Sequence, residues 1–235
     1  VGSIDAIRQP DEGAVPAPMR LDAPLGGIIF DLDGTLTLPG QLDFGAMRRA
    51  VGLPEGTSIF GGIEAMEPDA RAAAWATIDA MELAAFETIQ LQPGLVPLLT
   101  KLRQSGVPLA IATRNTPRAV AAMLRAAGLP ADTFAPVLTR ESALPDKPDP
   151  AVALAACAAW GVQPDAALFV GDTMDDMRCG SAAGCDTCLI RPAPPTSEAP
   201  DGACAPAALD ATGAVGFVIH SLAELQAMVD DALAP

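Results

Sequence analysis

Six short apolar runs, at residues 27–30, 109–112, 136–139, 167–170, 187–190 and 215–219, alternate with helical periodicity at 94–104, 117–127, 150–160, 174–183 and 222–233. This alternation narrows the fold more than any other property of the chain. Strands separated by helices pair in parallel, with each connecting helix laid across a face of the sheet. Pro117 and Pro150 stand where two of the helices begin, and Gly106, Gly128, Gly161 and Gly184 stand where helices are expected to end. The expectation is an α/β core with a mostly parallel sheet covered on both faces. A sheet of that kind binds its ligand beyond the carboxyl ends of the strands.

One stretch breaks the rhythm. Residues 39–92 read as helices without strands: a helix at 44–51, a glycine-rich turn at Gly61 and Gly62, and a long helix from about Asp69. The segment 72–91 is the most apolar helix, yet Asp79, Glu82 and Glu87 interrupt it. No run reaches the roughly 18 uninterrupted apolar residues that a membrane helix needs, so no membrane partner is expected. The chain therefore divides into a leader at 1–24, a core at 25–38 and 93–235, and a small all-helical insert at 39–92. A segment dense in Pro and Ala, 191–213, is expected to be a long mobile loop.

The strand ends carry the chemistry. Residues 28–37 read Ile-Ile-Phe-Asp-Leu-Asp-Gly-Thr-Leu-Thr, so Asp31 and Asp33 share one side of the strand while Leu32 points away. Two carboxylates this close need a cation or a shared proton. Thr113 closes the run Val-Pro-Leu-Ala-Ile-Ala-Thr at 107–113, and its hydroxyl can bind a phosphoryl oxygen. Lys147 precedes Pro148 and is one of only two lysines; the other, Lys101, lies on a helix with a solvated face. Residues 168–176 read Leu-Phe-Val-Gly-Asp-Thr-Met-Asp-Asp, an acidic cluster after an apolar strand. Each element alone has a plainer reading. Asp-x-Asp-Gly can be a turn, Thr113 a strand-end hydroxyl, Lys147 a surface charge and the acids a helix cap. All four in one order make those coincidences hard to sustain.

In this order and spacing the four segments resemble the motifs of the haloacid dehalogenase superfamily, whose commonest members are Mg-dependent phosphatases with the pattern D-x-D-G-T. The resemblance implies a Rossmann-like three-layer core, with the helical insert acting as a small cap that closes over the site and selects the substrate. It further implies that Asp31 attacks phosphorus to form an aspartyl-phosphate, and that Asp33 protonates the leaving oxygen and then activates water. Thr113 and Lys147 would bind the phosphoryl oxygens, with the amides of Leu32 and Arg114 as further donors. Mg²⁺ would be held by Asp31, Asp172 and the carbonyl of Asp33, with waters completing six oxygen ligands. Asp176 matches the second acid of the fourth motif, orienting metal waters or Lys147, and the role of Asp175 stays open.

The same residues separate the sister chemistries. Dehalogenases of the superfamily lack the second aspartate that Asp33 supplies here. Its phosphonatases need a cap lysine, and residues 39–92 contain none. A phosphosugar mutase shares all four motifs and usually adds a basic cap residue, for which Arg48, Arg49 and Arg71 are the available cations. A non-catalytic Mg-binding module is the remaining alternative, which intact Asp31 and Asp33 disfavour. Phosphoglycolate phosphatases share the cap position and all four motifs. Substrate selection is expected from the cap, around Phe60, Arg48 and Arg71.

Charge agrees with a small phosphorylated metabolite as the partner. The net charge of −15 argues against nucleic acid, whose binding relies on Lys and Arg, and makes an anionic substrate dependent on local compensation. The five cysteines form no regular framework, which fits a reducing compartment; Cys185 and Cys188 have the C-x-x-C spacing, read as two reduced thiols or a redox pair. With His220 the single histidine, structural zinc is not expected. The first residue is Val, and residues 1–24 lack a signal-peptide core, which suggests a trimmed form with a flexible leader. A soluble intracellular protein is expected, monomeric or weakly dimeric, in a plastid if a transit peptide has been removed and otherwise in the cytoplasm.

Overall fold

The computed structural model describes residues 25–191 and 213–233, so the expected leader at 1–24, nearly all of the loop expected at 191–213, and Cys204 lie outside the described residues. Six strands form one sheet: β1 (Gly27–Phe30), β2 (Leu109–Ala112), β3 (Val137–Leu138), β4 (Ala167–Gly171), β5 (Asp186–Ile190) and β6 (Phe217–Ile219). Every pairing is parallel, in the order β3-β2-β1-β4-β5-β6. The chain steps outward on one side of β1 and then returns to build the other side. The strand order therefore reverses beside β1, which is where open α/β sheets form their ligand crevice.

Alternation along β1 sorts its side chains between two cores. Ile28, Phe30 and Leu32 enter the larger one, packed with Leu98, Leu99 and Leu102 of α4 (Leu95–Gln104), Val120 and Met123 of α5 (Pro117–Ala127) and Leu225 of α8 (Leu222–Ala232). Ile29 faces the other side, against Ala153, Ala156 and Cys157 of α6 (Ala151–Trp160) and Cys179 of α7 (Met174–Ala183). Each fully buried aliphatic side chain contributes about 1.5–3 kcal/mol, so burial on both faces holds β1 firmly in the middle of the sheet. Leu32 continues the Phe30 face, which leaves Asp31 and Asp33 on the other.

The insert contains α1 (Phe44–Ala50), α2 (Ile59–Glu64) and α3 (Pro68–Phe86). It is tied to the core by a short antiparallel crossing: Thr37 pairs with Leu91, Leu38 N–H donates to Gln90 O at 2.8 Å, and Gln92 N–H donates to Leu36 O at 3.0 Å. That pairing ends the long helix at Phe86, short of the expected 91. The turn expected at Gly61 and Gly62 is instead inside α2. Ser58 caps that helix by accepting from Gly61 N–H at 3.3 Å, and a Cβ at Gly62 would lie 2.6 Å from Leu53 Cδ2. Glycine there serves close packing rather than a reversal. Pro150 likewise stands at the cap of α6 rather than inside its first turn. Among the described residues no helix is long and apolar enough to cross a membrane.

Candidate active site

Strands β1, β2 and β4 end together and deliver Asp31, Thr113 and Asp172 to one crevice. Asp31 follows Phe30 directly and is fixed by its own N–H, which donates to Val170 O at 2.9 Å. Lys147, from the segment before α6, enters beneath it. Its ammonium donates to Asp31 Oδ1 at 2.6 Å and to Ala112 O at 2.9 Å, and forms an ion pair with Asp176 Oδ1 at 2.6 Å. Asp176 is fully buried because α7 begins with a capping box. Its Oδ2 accepts from Thr173 N–H at 3.0 Å, while its own N–H donates to Thr173 Oγ1 at 3.3 Å.

Two glycines make the crevice this tight. Gly34 has φ of 82°, and a Cβ there would lie 2.1 Å from Asp172 Oδ2. A Cβ at Gly171 would come within 2.4 Å of the Asp176 Cβ. Asp33 takes a hydrogen bond from Asn115 Nδ2, whose backbone N–H donates to Thr113 Oγ1 at 3.0 Å. Gln92, at the base of the insert, donates from Nε2 to Gly34 O at 2.9 Å.

Negative charge exceeds positive charge here. Burial lifts the Asp31 carboxyl to about 6, with Lys147 pulling it down and Asp176 pushing it up. Burial and then the Asp31 charge lift Asp33 to about 7. Burial, Asp31 and Asp176 lift Asp172 to about 7. Burial alone would lower the Lys147 ammonium, but Asp31 and Asp176 outweigh it and hold the group above its ordinary range. Carboxylate oxygens of Asp31, Asp172 and Asp176 lie within 4.8 Å of one another, and the buried Asp172 Oδ1 has no hydrogen-bond partner among the described residues. A hard divalent cation fits such a set, since Mg²⁺ takes oxygen ligands through one or two carboxylates.

A cavity of about 590 Å³ extends from Asp33, Asn115 and Lys147 to the insert, where Phe60 and Trp75 line it. The two rings lie 5.6 Å apart. Arg140, from the loop after β3, reaches across to α3: Nη2 is 2.6 Å from Asp79 Oδ1, Nη1 is 2.8 Å from Glu82 Oε1, and the guanidinium lies 4.8 Å from the Trp75 ring centre. One core side chain thus holds three residues of one helix face.

Residues 25–184 match the family model for haloacid dehalogenase-like hydrolases. The chain belongs to this family. A second model of the same group, HAD-hydrolase-like, matches residues 145–225. A haloacid dehalogenase-like hydrolase domain-containing protein of Arabidopsis thaliana is 35% identical over 178 residues, covering 71% of each chain. A phosphoglycolate phosphatase of Rhodospirillum rubrum is 31% identical over 183 residues, covering 67% of this chain and 76% of the relative. A solved hydrolase from Pseudomonas syringae shares the fold, with a TM-score of 0.69 at 21% identity over 88% of this chain and 98% of that one.

In this hydrolase the residues singled out by sequence fall into distinct groups. Asp31, Asp33, Thr113, Arg114, Lys147, Asp172 and Asp176 all line the crevice. The Arg114 side chain turns aside, donating to Lys147 O and to Asp175 Oδ2 at 2.8 Å, which gives Asp175 a partner. Of the insert residues, Arg48 and Phe60 line the larger cavity, with Arg48 Nε held by Thr57 O at 2.8 Å. Arg71 is not among that cavity's lining residues: it donates to Met66 O at 3.0 Å and pairs with Glu64 at 3.6 Å. Cys185 and Cys188 are free, buried thiols on opposite faces of the sheet, Cys188 beside Ile190 and Cys185 beside Cys157. Three residues escaped the sequence reading: Asn115, Glu82 and Arg140. Asn115 had a usable signal, two positions beyond Thr113 at a strand end. Arg140 and Glu82 had none, because they meet only when the insert folds over the core.

Proposed function

We propose that this hydrolase is a Mg-dependent phosphomonoesterase that cleaves a small phosphorylated metabolite through an aspartyl-phosphate on Asp31. The observation that carries the reading is the pairing of a buried, lysine-bound Asp31 with a second carboxyl, Asp33, whose proton affinity lies near neutrality. One group suits attack and the other suits proton transfer. The relatedness to a phosphoglycolate phosphatase supports the same chemistry.

In the first step an Asp31 oxygen bonds to phosphorus in line with the ester oxygen, the P–O bond to the leaving group breaks, and Asp33 gives its proton to the departing alkoxide. In the second, Asp33 takes a proton from water as the water oxygen attacks phosphorus and the Asp31–phosphorus linkage breaks. Inorganic phosphate leaves, and both aspartates return to their starting states. Such proton transfer contributes about 10²–10⁴-fold. Lys147, Thr113 and the amides of Leu32 and Arg114 stabilise charge on the phosphoryl oxygens. Asp176 keeps Lys147 in place and Asn115 orients Asp33. Asp31, Asp172 and the carbonyl of Asp33 would hold Mg²⁺, which when bound neutralises the phosphoryl oxygens and the carboxylates that face them.

The test is phosphate release from an aryl phosphate with and without Mg²⁺, with Asp31→Asn as control. Mg-dependent release by the wild type and its loss in the variant are expected. Equal release by both proteins would remove Asp31 from the mechanism.

A further inference from the structure

The larger cavity is charged on both of its sides. Lys147 lines it from the core and Arg48 of α1 from the insert, and among the described residues no other insert cation joins Arg48 there. The remaining bases of the lining are matched by carboxylates: Lys147 by Asp31 and Asp176, Arg114 by Asp175, Arg140 by Asp79 and Glu82. Arg48 is not. Its Nε donates to Thr57 O at 2.8 Å and its Nη1 to Phe44 O at 3.3 Å, and it forms no ion pair among the described residues. Neutral carbonyls fix the direction of a guanidinium and leave its charge uncompensated.

The free part of that guanidinium is within reach of a ligand. Arg48 is half-buried, and its Nη2, which has no partner among the described residues, remains accessible. The lining acids that no base holds lie on the core side: Asp33 accepts from Asn115, and Asp146 is exposed in the segment that carries Lys147. The insert wall around Arg48 is largely apolar. Phe44 and Phe60 are half-exposed there, and Trp75 stands 5.6 Å from Phe60, a surface that a carbon skeleton would cover. On such a wall an open guanidinium N–H is a receptor for an anionic oxygen, because a charge-assisted hydrogen bond is roughly twice as strong as a neutral one and gains further where water is excluded.

We propose that Arg48 is a specificity residue that binds a second anionic group, a carboxylate or a further phosphate, on a substrate whose first phosphoryl group lies over Asp31. The assignment rests on the phosphatase reading and narrows it to phosphomonoesters with two anionic ends. The bonds from Arg48 to Thr57 and Phe44 also brace the insert, and that bracing serves every ester alike. Discrimination between esters is what contact with a ligand adds.

The experiment compares kcat/KM of the full chain, with Mg²⁺, on two matched pairs. In the first, 6-phosphogluconate differs from sorbitol 6-phosphate by a carboxylate; in the second, fructose 1,6-bisphosphate differs from fructose 6-phosphate by a phosphate. Calorimetry of the same compounds with Asp31→Asn, alone and combined with Arg48→Gln, reads binding without turnover. The member with the second anion should lead by about tenfold or more in at least one pair, in kcat/KM and in affinity, and the pair that responds tells carboxylate from phosphate. Arg48→Gln should cut that lead to within about threefold, whereas Arg48→Lys should keep part of it, because the charge persists without the planar fork. Equal members in both pairs would overturn the assignment, as would an Arg48→Gln variant that lowers all four esters alike, the result of bracing alone. If the wild type hydrolyses neither these esters nor p-nitrophenyl phosphate, the phosphatase reading falls, and the calorimetric order still decides what Arg48 binds.

Discussion

Arg140 Nη1 and Glu82 Oε1 lie 2.8 Å apart across 58 positions of sequence, and this contact fastens the helical insert to the core. Because the same guanidinium also meets Asp79 and Trp75, it sets both the height and the rotation of α3 over the cavity. Arg140→Ala should lower kcat/KM by about 10–100-fold through misplacement of the insert while Mg²⁺ affinity changes little. Arg140→Lys should not restore activity, since a point charge cannot serve two carboxylates and a ring together. A double-mutant cycle with Glu82→Gln should give a coupling of about 0.5–3 kcal/mol in thermal unfolding. Additive single effects would show that the contact carries no energy.

Lys147 is the next test, because its removal leaves Asp31 and Asp176 facing each other without a cation. Breaking a buried pair by deleting one partner costs about 3–5 kcal/mol. At ~2–4 °C per kcal/mol, Lys147→Ala should lower the Tm of the metal-free protein by about 6–20 °C. A kcat loss of about 10²-fold or more should accompany it. A variant with unchanged Tm would mean that the two carboxylates do not depend on this ammonium.

Gly34→Ala tests the packing of the crevice. The new Cβ would meet Asp172 Oδ2 at 2.1 Å on a backbone whose φ is 82°. Asp172 must move, and displacement of about 1 Å at such a site costs about 10²-fold in rate. Retained activity and unchanged Mg²⁺ affinity would argue that Asp172 does not act at the position described.

The raised carboxyls set a pH dependence of stability. Asp33 and Asp172 move from 3.8 to about 7 and Asp31 from 3.8 to about 6, so the folded state keeps protons that the unfolded chain has lost. Their stabilising contribution is complete below about 4 and is lost as pH rises through 6 to 7. The metal-free protein should therefore melt at a lower temperature at pH 8 than at pH 5.5. Mg²⁺ bound as proposed would replace those protons, so its stabilisation, about 2.7 kcal/mol at a hundredfold excess over Kd, should be larger at pH 8. Differential scanning calorimetry at both pH values, with Asp172→Asn as the control that flattens the trend, checks the sign. An equal Mg²⁺ effect at the two pH values would contradict it.

These residues also mark how far the sequence could be read. The sheet and the crevice were legible because Asp31, Thr113 and Asp172 each terminate an apolar run, and parallel pairing brings strand ends together whatever the loops do. Lys147 was legible through scarcity and through its proline. Arg140 and Glu82 were not, since their meeting depends on how the insert docks, which no local period encodes. Gly61 and Gly62 misled for a related reason: glycine signals either a turn or a close approach, and only the position of Leu53 decides between them.

The central claim is that Asp31 carries the phosphoryl group. Acid quenching of the wild type during turnover of a ³²P-labelled phosphomonoester, followed by peptide mapping, measures this directly. The label should be found on the peptide containing Asp31, should be labile to base as an acyl phosphate is, and should disappear in Asp31→Asn. Turnover without a trapped label in Asp31, or a label on another residue, would contradict the account.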